Sequence, residues 1–235
     1  MTVLALHGAV ANGAAWLGVQ RALGDAMHVD APDLPGHGAR RAERFALEPV
    51  IAELIARATA HAARGPLLLA GDSLGGYLAL AVGGRLDVPL LGVVAGGCTY
   101  ALRGLTGAAA RLTLAADALA ALDGERAAAR FFAGVLRREA GADIGDAIVA
   151  RGLNVGMRGS TLRALLGHDT LADVRAIRAP VTFVNGSRDV PIVWQTKRFA
   201  AAAAHGRAIV VPGVGHGVAL LRPEAFAAAL RALGP

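Results

Sequence analysis

Short apolar runs alternate along the chain with longer, alanine-rich stretches. The apolar runs show little polar alternation, which is typical of parallel strands that are covered on both faces. Six runs predict strands, over Thr2–Leu6, Met27–Ala31, Pro66–Ala70, Leu90–Ala95, Val181–Asn185 and Ala208–Val211. Helices are predicted over Ala14–Leu23, Glu48–Ala63, Leu74–Gly83, Lys197–Ala204 and Pro223–Ala232. This alternation predicts the α/β fold class, with a mostly parallel, doubly wound sheet.

The alternation is interrupted between the fourth and fifth predicted strands. From Tyr100 to about Val174 the pattern predicts only helices, over Thr106–Ala121, Gly124–Ala140, Ile144–Val155 and Thr161–Leu166. An insertion of about 70 residues is too long for an ordinary crossover connection. We therefore expect a helical cap or lid over residues 100–174, packed on the core of a single domain that covers residues 1–235.

Composition supports a folded globular domain. The chain has 235 residues, of which 54% are hydrophobic and 18% charged, so it can bury one sizeable core and disorder is not expected. The net charge is +6, and the basic excess is almost all arginine, since Lys197 is the sole lysine. The densest basic run, Arg40–Arg44, contains a glutamate and no aromatic residue. It predicts a solvated loop rather than a nucleic-acid interface.

Cysteine usage and hydropathy bear on the compartment. Cys98 is the single cysteine, so no disulfide can form within the chain, and a reducing compartment is the natural interpretation. The first residues lack the basic lead-in of a signal peptide, and no apolar stretch reaches the ~18 residues that a membrane helix needs. We expect a cytoplasmic protein without membrane insertion.

The segment Gly71-Asp72-Ser73-Leu74-Gly75-Gly76 joins a predicted strand to a predicted helix. In this context G-x-S-x-G is typical of a tight turn that exposes the serine hydroxyl, because the glycines lie where side chains would crowd strand against helix. Ser73 is thus the candidate nucleophile, and the backbone N–H of Leu74 is a candidate donor to a developing oxyanion. The competing interpretation is a glycine-rich turn with an incidental serine.

A serine nucleophile needs a base, and the base needs an orienting acid. Asp189 follows the strand predicted at Val181–Asn185, and His216 lies in a glycine-rich loop after the last strand. Both therefore lie at carboxyl ends of strands, as Ser73 does, and they follow it in the order Ser, Asp, His. His205, and His168 with Asp169, fit less well and are expected to be exposed or structural.

The loop after the first strand should supply the second oxyanion donor. We expect the N–H of Ala9 in this role, with Val10 as the alternative, and we expect His7 to hold the loop by hydrogen bonding. Substrate contacts are predicted from position, with core packing as the competing interpretation for each. The predicted contacts are Val10, Asn12, Trp16, Tyr100, Phe131, Phe132, Met157 and Trp194. Cys98 is expected to be a small buried hydrophobe near the site.

Five motifs in order resemble the α/β-hydrolase superfamily, in its serine-dependent esterase and lipase branch. They are His7-Gly8, Asp33-Leu34-Pro35-Gly36-His37-Gly38, Gly71-Asp72-Ser73-Leu74-Gly75-Gly76, Gly186-Ser187-Arg188-Asp189 and Gly213-Val214-Gly215-His216. The resemblance implies an α/β-hydrolase fold in which Ser73 is the nucleophile, Asp189 the acid and His216 the base. It also implies that Asp33 and His37 are structural. Family members commonly have about two antiparallel strands before the His-Gly strand. Their absence here implies a sheet trimmed to about six strands.

The function predicted is hydrolysis of a carboxylic ester, or a related acyl bond, of a small to medium hydrophobic molecule. The reaction would need no metal or organic cofactor, and its partner would be a small-molecule substrate, acted on by a monomer or homodimer. Three alternatives remain open. They are a non-hydrolytic serine enzyme on the same fold (a lyase, perhydrolase or acyltransferase), a thioesterase, and a non-catalytic ligand-binding protein. The sequence does not distinguish ester from thioester, lactone or amide.

Overall fold

Six parallel strands form one sheet at the centre of the molecule. The computed structural model describes residues 1–104, 107 and 125–234. The strands are β1 (Thr2–Leu6), β2 (His28–Asp30), β3 (Leu67–Asp72), β4 (Gly92–Gly96), β5 (Val181–Gly186) and β6 (Gly206–Val211). Their spatial order is β2-β1-β3-β4-β5-β6, and every neighbouring pair is parallel. The predicted six-stranded parallel sheet is confirmed.

Helices cover both faces of this sheet. The helices outside the predicted cap are α1 (Leu17–Leu23), α2 (Leu47–Ala62), α3 (Leu74–Gly83), α8 (Ile192–Ala202), α9 (Val218–Leu221) and α10 (Pro223–Arg231). Between β4 and β5 lie α4 (Glu125–Ala140), α5 (Ala142–Arg151), α6 (Met157–Leu165) and α7 (Thr170–Ala176). The helix predicted over residues 106–121 lies, apart from Gly107, outside the described residues.

The core is divided by the sheet into two layers. Leu4 and Leu69 face one layer, which α2, α3, α7 and α8 cover with side chains such as Leu78 and Phe199. Val3 and Leu68 face the other, covered by α1, α9 and α10. Strand residues alternate between faces, so both parities must be apolar in a strand that is covered twice. This holds for the central strands, whereas the edge strands β2 and β6 are partly exposed.

Several predicted boundaries are wrong in informative ways. The helix expected from Lys197 begins at Ile192, and α7 and α9 were not predicted. The segment predicted as Ala14–Leu23 is a short 3-10 helix followed by α1. Strand β3 runs on to Asp72, which brings its end to the residue before Ser73.

The segment predicted as a cap, residues 100–174, keeps that name; its described part contains helices and loops and no strand. Its later half is joined to loops of the sheet. Asn154 Nδ2 donates to the carbonyl of Gly36 at 2.7 Å, and the Asn154 N–H donates to the carbonyl of Val10 at 3.3 Å. Arg151 Nε donates to Asp33 Oδ2 at 2.8 Å. These bonds fix the cap against the loops that follow β1 and β2.

Candidate active site

Ser73 lies in a strained turn between β3 and α3. Its φ of 56° makes it the one non-glycine residue with positive φ in the described part of the chain. A Cβ on Gly71 would overlap the carbonyl oxygen of Gly75, and a Cβ on Gly75 would overlap the carbonyl oxygen of Leu6. Residues without side chains are therefore required on both sides of the serine, as predicted. Strain of this kind, held by the surrounding structure, is common at functional sites.

The loop after β1 lies beside this turn. A Cβ built on Gly8 would be 3.4 Å from Ser73 Cβ and 3.9 Å from Ser73 Oγ. Strands β1 and β3 are adjacent although β2 intervenes in sequence, so their carboxyl ends flank the point where the strand order reverses. Ligands bind at such points in open α/β sheets. Among the described residues, the N–H groups of Ala9 and Leu74 have no hydrogen-bond acceptor.

A chain of hydrogen bonds runs from Ser73 through His216 to Asp189. The Ser73 hydroxyl lies 2.8 Å from His216 Nε2, and His216 Nδ1 lies 2.9 Å from Asp189 Oδ2. With the ring proton on Nδ1, the hydroxyl donates to Nε2 and Nδ1–H donates to the carboxylate. A serine in this arrangement can pass its proton to the imidazole as it attacks an electrophilic carbon, and the carboxylate stabilises the resulting imidazolium.

Backbone bonds hold the Asp189 loop against the His216 loop. The Arg188 N–H donates to the carbonyl of Val214 at 2.8 Å, and the Gly213 N–H donates to Ser187 Oγ at 2.9 Å. Strands β5 and β6 are neighbours, so the two loops leave the sheet side by side. One pair of adjacent strands thus brings Asp189 and His216 together despite their separation in sequence.

Charges around His216 set the basicity of its ring. Desolvation inside the site lowers the pKa of His216, but the hydrogen bond and charge of Asp189, with the charge of Asp72, outweigh it and raise the pKa above its usual value. Arg158 acts in the opposite direction. Asp72 is itself buried, and burial raises the pKa of its carboxyl group. Its Oδ1 atom has no hydrogen-bond partner among the described residues.

Two buried histidines support the loops around the site. His7 Nδ1 lies 2.8 Å from the carbonyl of Gly8, and His7 Nε2 accepts from the N–H of Leu34 at 3.0 Å. Burial, with the nearby His37, lowers the pKa of His7 to about 3, so the ring is neutral near pH 7. His37 Nε2 lies 2.8 Å from the carbonyl of Ala9. Both rings connect the loops after β1 and β2, the bonding role expected of His7.

Asp33, at the start of the loop after β2, is also bonded within that framework. Its carboxylate accepts the N–H groups of Gly13 and Ala39 at 2.9 and 2.8 Å, besides Nε of Arg151. Cys98 is fully buried behind Gly76, and burial raises the pKa of its thiol well above the usual range.

A cavity of about 860 Å³ opens above Ser73, between the sheet and the cap. Its floor contains Ser73, His216, Asp189 and Asp72. Its walls are mainly apolar, with contributions from Leu102, Phe132, Leu136, Leu162, Leu165, Ile192 and Leu220. The described residues include no cluster of three or more side chains suited to bind a metal ion. An apolar cavity with a few polar groups at one end is typical of a small-molecule site.

The structure brings some predicted substrate contacts to this cavity and not others. Val10, Trp16, Tyr100 and Phe132 line it, and so does Ala9, the predicted oxyanion donor. Asn12 does not, because its fully buried side chain bonds to backbone groups of the cap. Met157 packs against Gly36 instead. Phe131 and Trp194 are 69% and 74% exposed and also lie outside the lining.

Cap helices contribute lining residues that were not predicted. On α6 the cavity face consists of Arg158, Thr161, Leu162 and Leu165, with the spacing of one face of a helix. Met157 lies one position away from that face. On α4, Phe132 and Leu136 are four residues apart and line the cavity from one helix face, whereas the neighbouring Phe131 is exposed. Helical periodicity would have identified these sets once the orientation of each helix was known.

Within the described residues, no helix combines the length and apolar character needed to cross a membrane. The family model described as the alpha/beta hydrolase family matches residues 3–229. No curated protein sequence matches the chain.

Three solved structures illustrate the similarity in fold. E-2-(acetamidomethylene)succinate hydrolase has a TM-score of 0.79 and 21% identity, covering 99% of this chain and 90% of its own. A thermophilic esterase from Thermogutta terrifontis has a TM-score of 0.75 and 20% identity, covering 99% of this chain and 88% of its own. The thioesterase domain from the curacin biosynthetic pathway has a TM-score of 0.69 and 20% identity, covering 98% of this chain and 90% of its own. The match of the family model over nearly the whole length establishes that this chain belongs to the alpha/beta hydrolase family.

Proposed function

We propose that the chain is a serine hydrolase that cleaves a carboxylic ester of a small to medium hydrophobic molecule. The observation that carries the proposal is the bonded series Ser73 Oγ–His216 Nε2–Asp189, at 2.8 and 2.9 Å, on the floor of an apolar cavity. The esterase and thioesterase among similar folds agree with acyl chemistry. An apolar wall favours an apolar acyl or alcohol group by burying its surface.

In this reaction Ser73 Oγ attacks the carbonyl carbon while His216 Nε2 takes the hydroxyl proton. The oxyanion that forms accepts hydrogen bonds from the N–H groups of Ala9 and Leu74. His216 then donates its proton to the departing alcohol, which leaves an acyl group on Ser73. Water, deprotonated by His216, attacks the acyl carbon, and the acid is released as the proton returns to Ser73. Asp189 keeps the ring proton on Nδ1 and stabilises the imidazolium. No cofactor takes part in these steps.

The direct test is release of p-nitrophenol from acetyl, butyryl and octanoyl esters. We expect the native chain to hydrolyse at least one of them, and Ser73→Ala to reduce turnover by about 10³-fold or more. Ser160→Ala is the matched control, since Ser160 is an exposed serine outside the cavity lining and should leave the rate unchanged.

A second readout tests the nucleophile without assuming a substrate. A fluorophosphonate should phosphonylate the native chain once, at Ser73, with fluoride as the leaving group and the serine proton lost with it. The mass gain should equal that of the reagent minus HF, and Ser73→Ala should not be labelled. Labelling without hydrolysis of any ester would favour a non-hydrolytic serine enzyme on this fold. Folded native protein that neither reacts nor hydrolyses would show that the proposed chemistry is wrong.

A further inference from the structure

The walls of the cavity carry one permanent positive charge among the residues that the structure describes. Arg158 lies on the cap helix α6 and lines the cavity together with Thr161, Leu162 and Leu165. These four residues are spaced as one helix face, and Arg158 lies at the N-terminal end of that face, which is otherwise mainly apolar. The other charged groups of the lining, Asp72 and Asp189, lie on the floor beside Ser73.

The position of Arg158 in its helix is not explained by helix stability. The helix begins at Met157, so Arg158 lies in the first turn, where the helix dipole disfavours a cation. Arg163, in the last turn of the same helix, has the favourable placement. An anion bound near Arg158 would be stabilised both by the guanidinium and by the positive end of the helix. Thr161 contributes less, because its hydroxyl already donates to the carbonyl of Met157 at 2.7 Å.

The charge of Arg158 also reaches the reacting groups. Desolvation and Arg158 lower the pKa of His216, while Asp189 and Asp72 raise it. Arg158 and His216 both line this cavity, Arg158 on the cap side as an exposed residue and His216 beside Ser73. A guanidinium has five N–H donors in a planar fork, so a contact with a neighbouring side chain still leaves donors for a ligand.

We propose that Arg158 selects substrates whose acyl chain carries a carboxylate at the end remote from the scissile ester. The chain would lie along Leu162 and Leu165, with its ester at Ser73 and its carboxylate at Arg158. This inference rests on the proposed ester hydrolysis and narrows the range of esters that the site would accept. The carboxylate would be kept away from Asp72 and Asp189, which would repel it if it entered the floor of the cavity first.

The test compares two p-nitrophenyl esters with equally long acyl chains, the adipate monoester and the hexanoate. We expect a higher kcat/KM for the anionic ester, and Arg158→Gln should lower the ratio of the two kcat/KM values about tenfold. Arg163→Gln is the matched control, because it removes the same charge from an exposed position of α6 outside the cavity lining. Added salt should reduce the preference, as expected for a partly exposed ion pair.

The ratio distinguishes recognition from a packing role. If Arg158 only supports the cap, Arg158→Gln will lower both kcat/KM values equally and the proposal is wrong. It is also wrong if the native chain shows no preference for the adipate ester. Arg158→Lys, which keeps the charge but not the planar fork, should retain part of the preference.

A binding measurement separates this inference from the proposed function. If the native chain hydrolyses neither ester above the rate of Ser73→Ala, ester hydrolysis by this site is wrong. Calorimetric titration of Ser73→Ala with monomethyl adipate and methyl hexanoate then decides the inference. If Ser73→Ala binds monomethyl adipate more tightly than methyl hexanoate, and the double variant Ser73→Ala/Arg158→Gln loses this preference, the cavity is anion-selective. Equal binding of the two molecules by Ser73→Ala refutes the inference.

Discussion

The side-chain amide of Asn12 donates a hydrogen bond to the carbonyl oxygen of Ile148 at 2.8 Å, and so joins the loop after β1 to cap helix α5. The same amide donates to the carbonyl of Gly152 at 3.1 Å, and Asn12 Oδ1 accepts the N–H of Ala14. One buried side chain thus connects the cap to the loop that contains Ala9. The position of the cap and the shape of the proposed oxyanion site are coupled through it.

Asn12→Ala should therefore destabilise the protein more than a comparable change at the cap junction. It removes three hydrogen bonds and leaves buried carbonyl groups unpaired, at a cost of about 2–4 kcal/mol in the free energy of unfolding. Asn154→Ala is the comparison. Among the described residues the Asn154 side chain makes one hydrogen bond, to the carbonyl of Gly36 at 2.7 Å, so this change should cost about 1 kcal/mol. Urea denaturation measures both, and equal losses would contradict the junction role of Asn12.

The pH dependence of kcat/KM should follow the ring of His216. Only the neutral imidazole can take the Ser73 proton, so activity should rise with pH. Because Asp189 and Asp72 outweigh desolvation and raise the pKa of His216, the half-maximal point should lie above 6.5. A pH profile of kcat/KM with a neutral ester measures it. A midpoint clearly below 6.5 would contradict this electrostatic assignment.

Two substitutions should move that midpoint in opposite directions. Asp72→Asn removes a negative charge that favours the imidazolium, so the rise in activity should shift to lower pH. Arg158→Gln removes a positive charge that disfavours it, so the rise should shift to higher pH. Each variant serves as the control for the other when both pH profiles are measured with the same neutral ester. If the two midpoints shift in the same direction, the charges do not act on His216 as described.

Two glycine-to-alanine substitutions should change the free energy of unfolding in opposite directions. Gly75→Ala places a Cβ against the carbonyl oxygen of Leu6, so we expect a loss of several kcal/mol or failure to fold. A Cβ added to Gly134, inside α4, would meet no atom of the described residues within 4 Å, and the φ of Gly134 is not positive. Gly134→Ala should therefore stabilise the protein by about 0.5–1 kcal/mol, through better helix propensity. Thermal or urea unfolding distinguishes the two, and a stable Gly75→Ala would contradict the close packing of α3 on β1.

Buried His7 should make stability depend on acidity. Its pKa is about 3 in the folded chain and near 6.5 when unfolded, so between these values the unfolded chain binds the extra proton. Stability is therefore fully present above about pH 6.5 and is lost as pH falls, by up to about 1.4 kcal/mol per pH unit from this group. His7→Gln should flatten the slope of unfolding free energy between about pH 4 and 6, within the window marked by those pKa values. Equal slopes for both proteins would show that His7 does not titrate as described.

The sequence by itself determined the sheet, the order of its strands in the chain and the turn at Ser73. Apolar runs need cover on both faces, and a serine between Gly71 and Gly75 permits one close approach of strand and helix. These are local properties, and they can be recognised along the chain. The spacing of Asp189 and His216 after successive strands has the same local basis, because neighbouring parallel strands end at one edge of the sheet.

Only the tertiary structure decided which cap residues face the cavity. Phe131 and Phe132 have the same chemistry, and one residue of helical rotation turns the first outward and the second inward. Met157 and Arg158 differ in the same way, and the structure places the arginine rather than the methionine in the lining. Asn12 lies near the site in sequence but bonds to carbonyl groups more than a hundred residues away. The rotation of a helix depends on every contact along its length, and distant contacts of this kind leave no local pattern in the sequence.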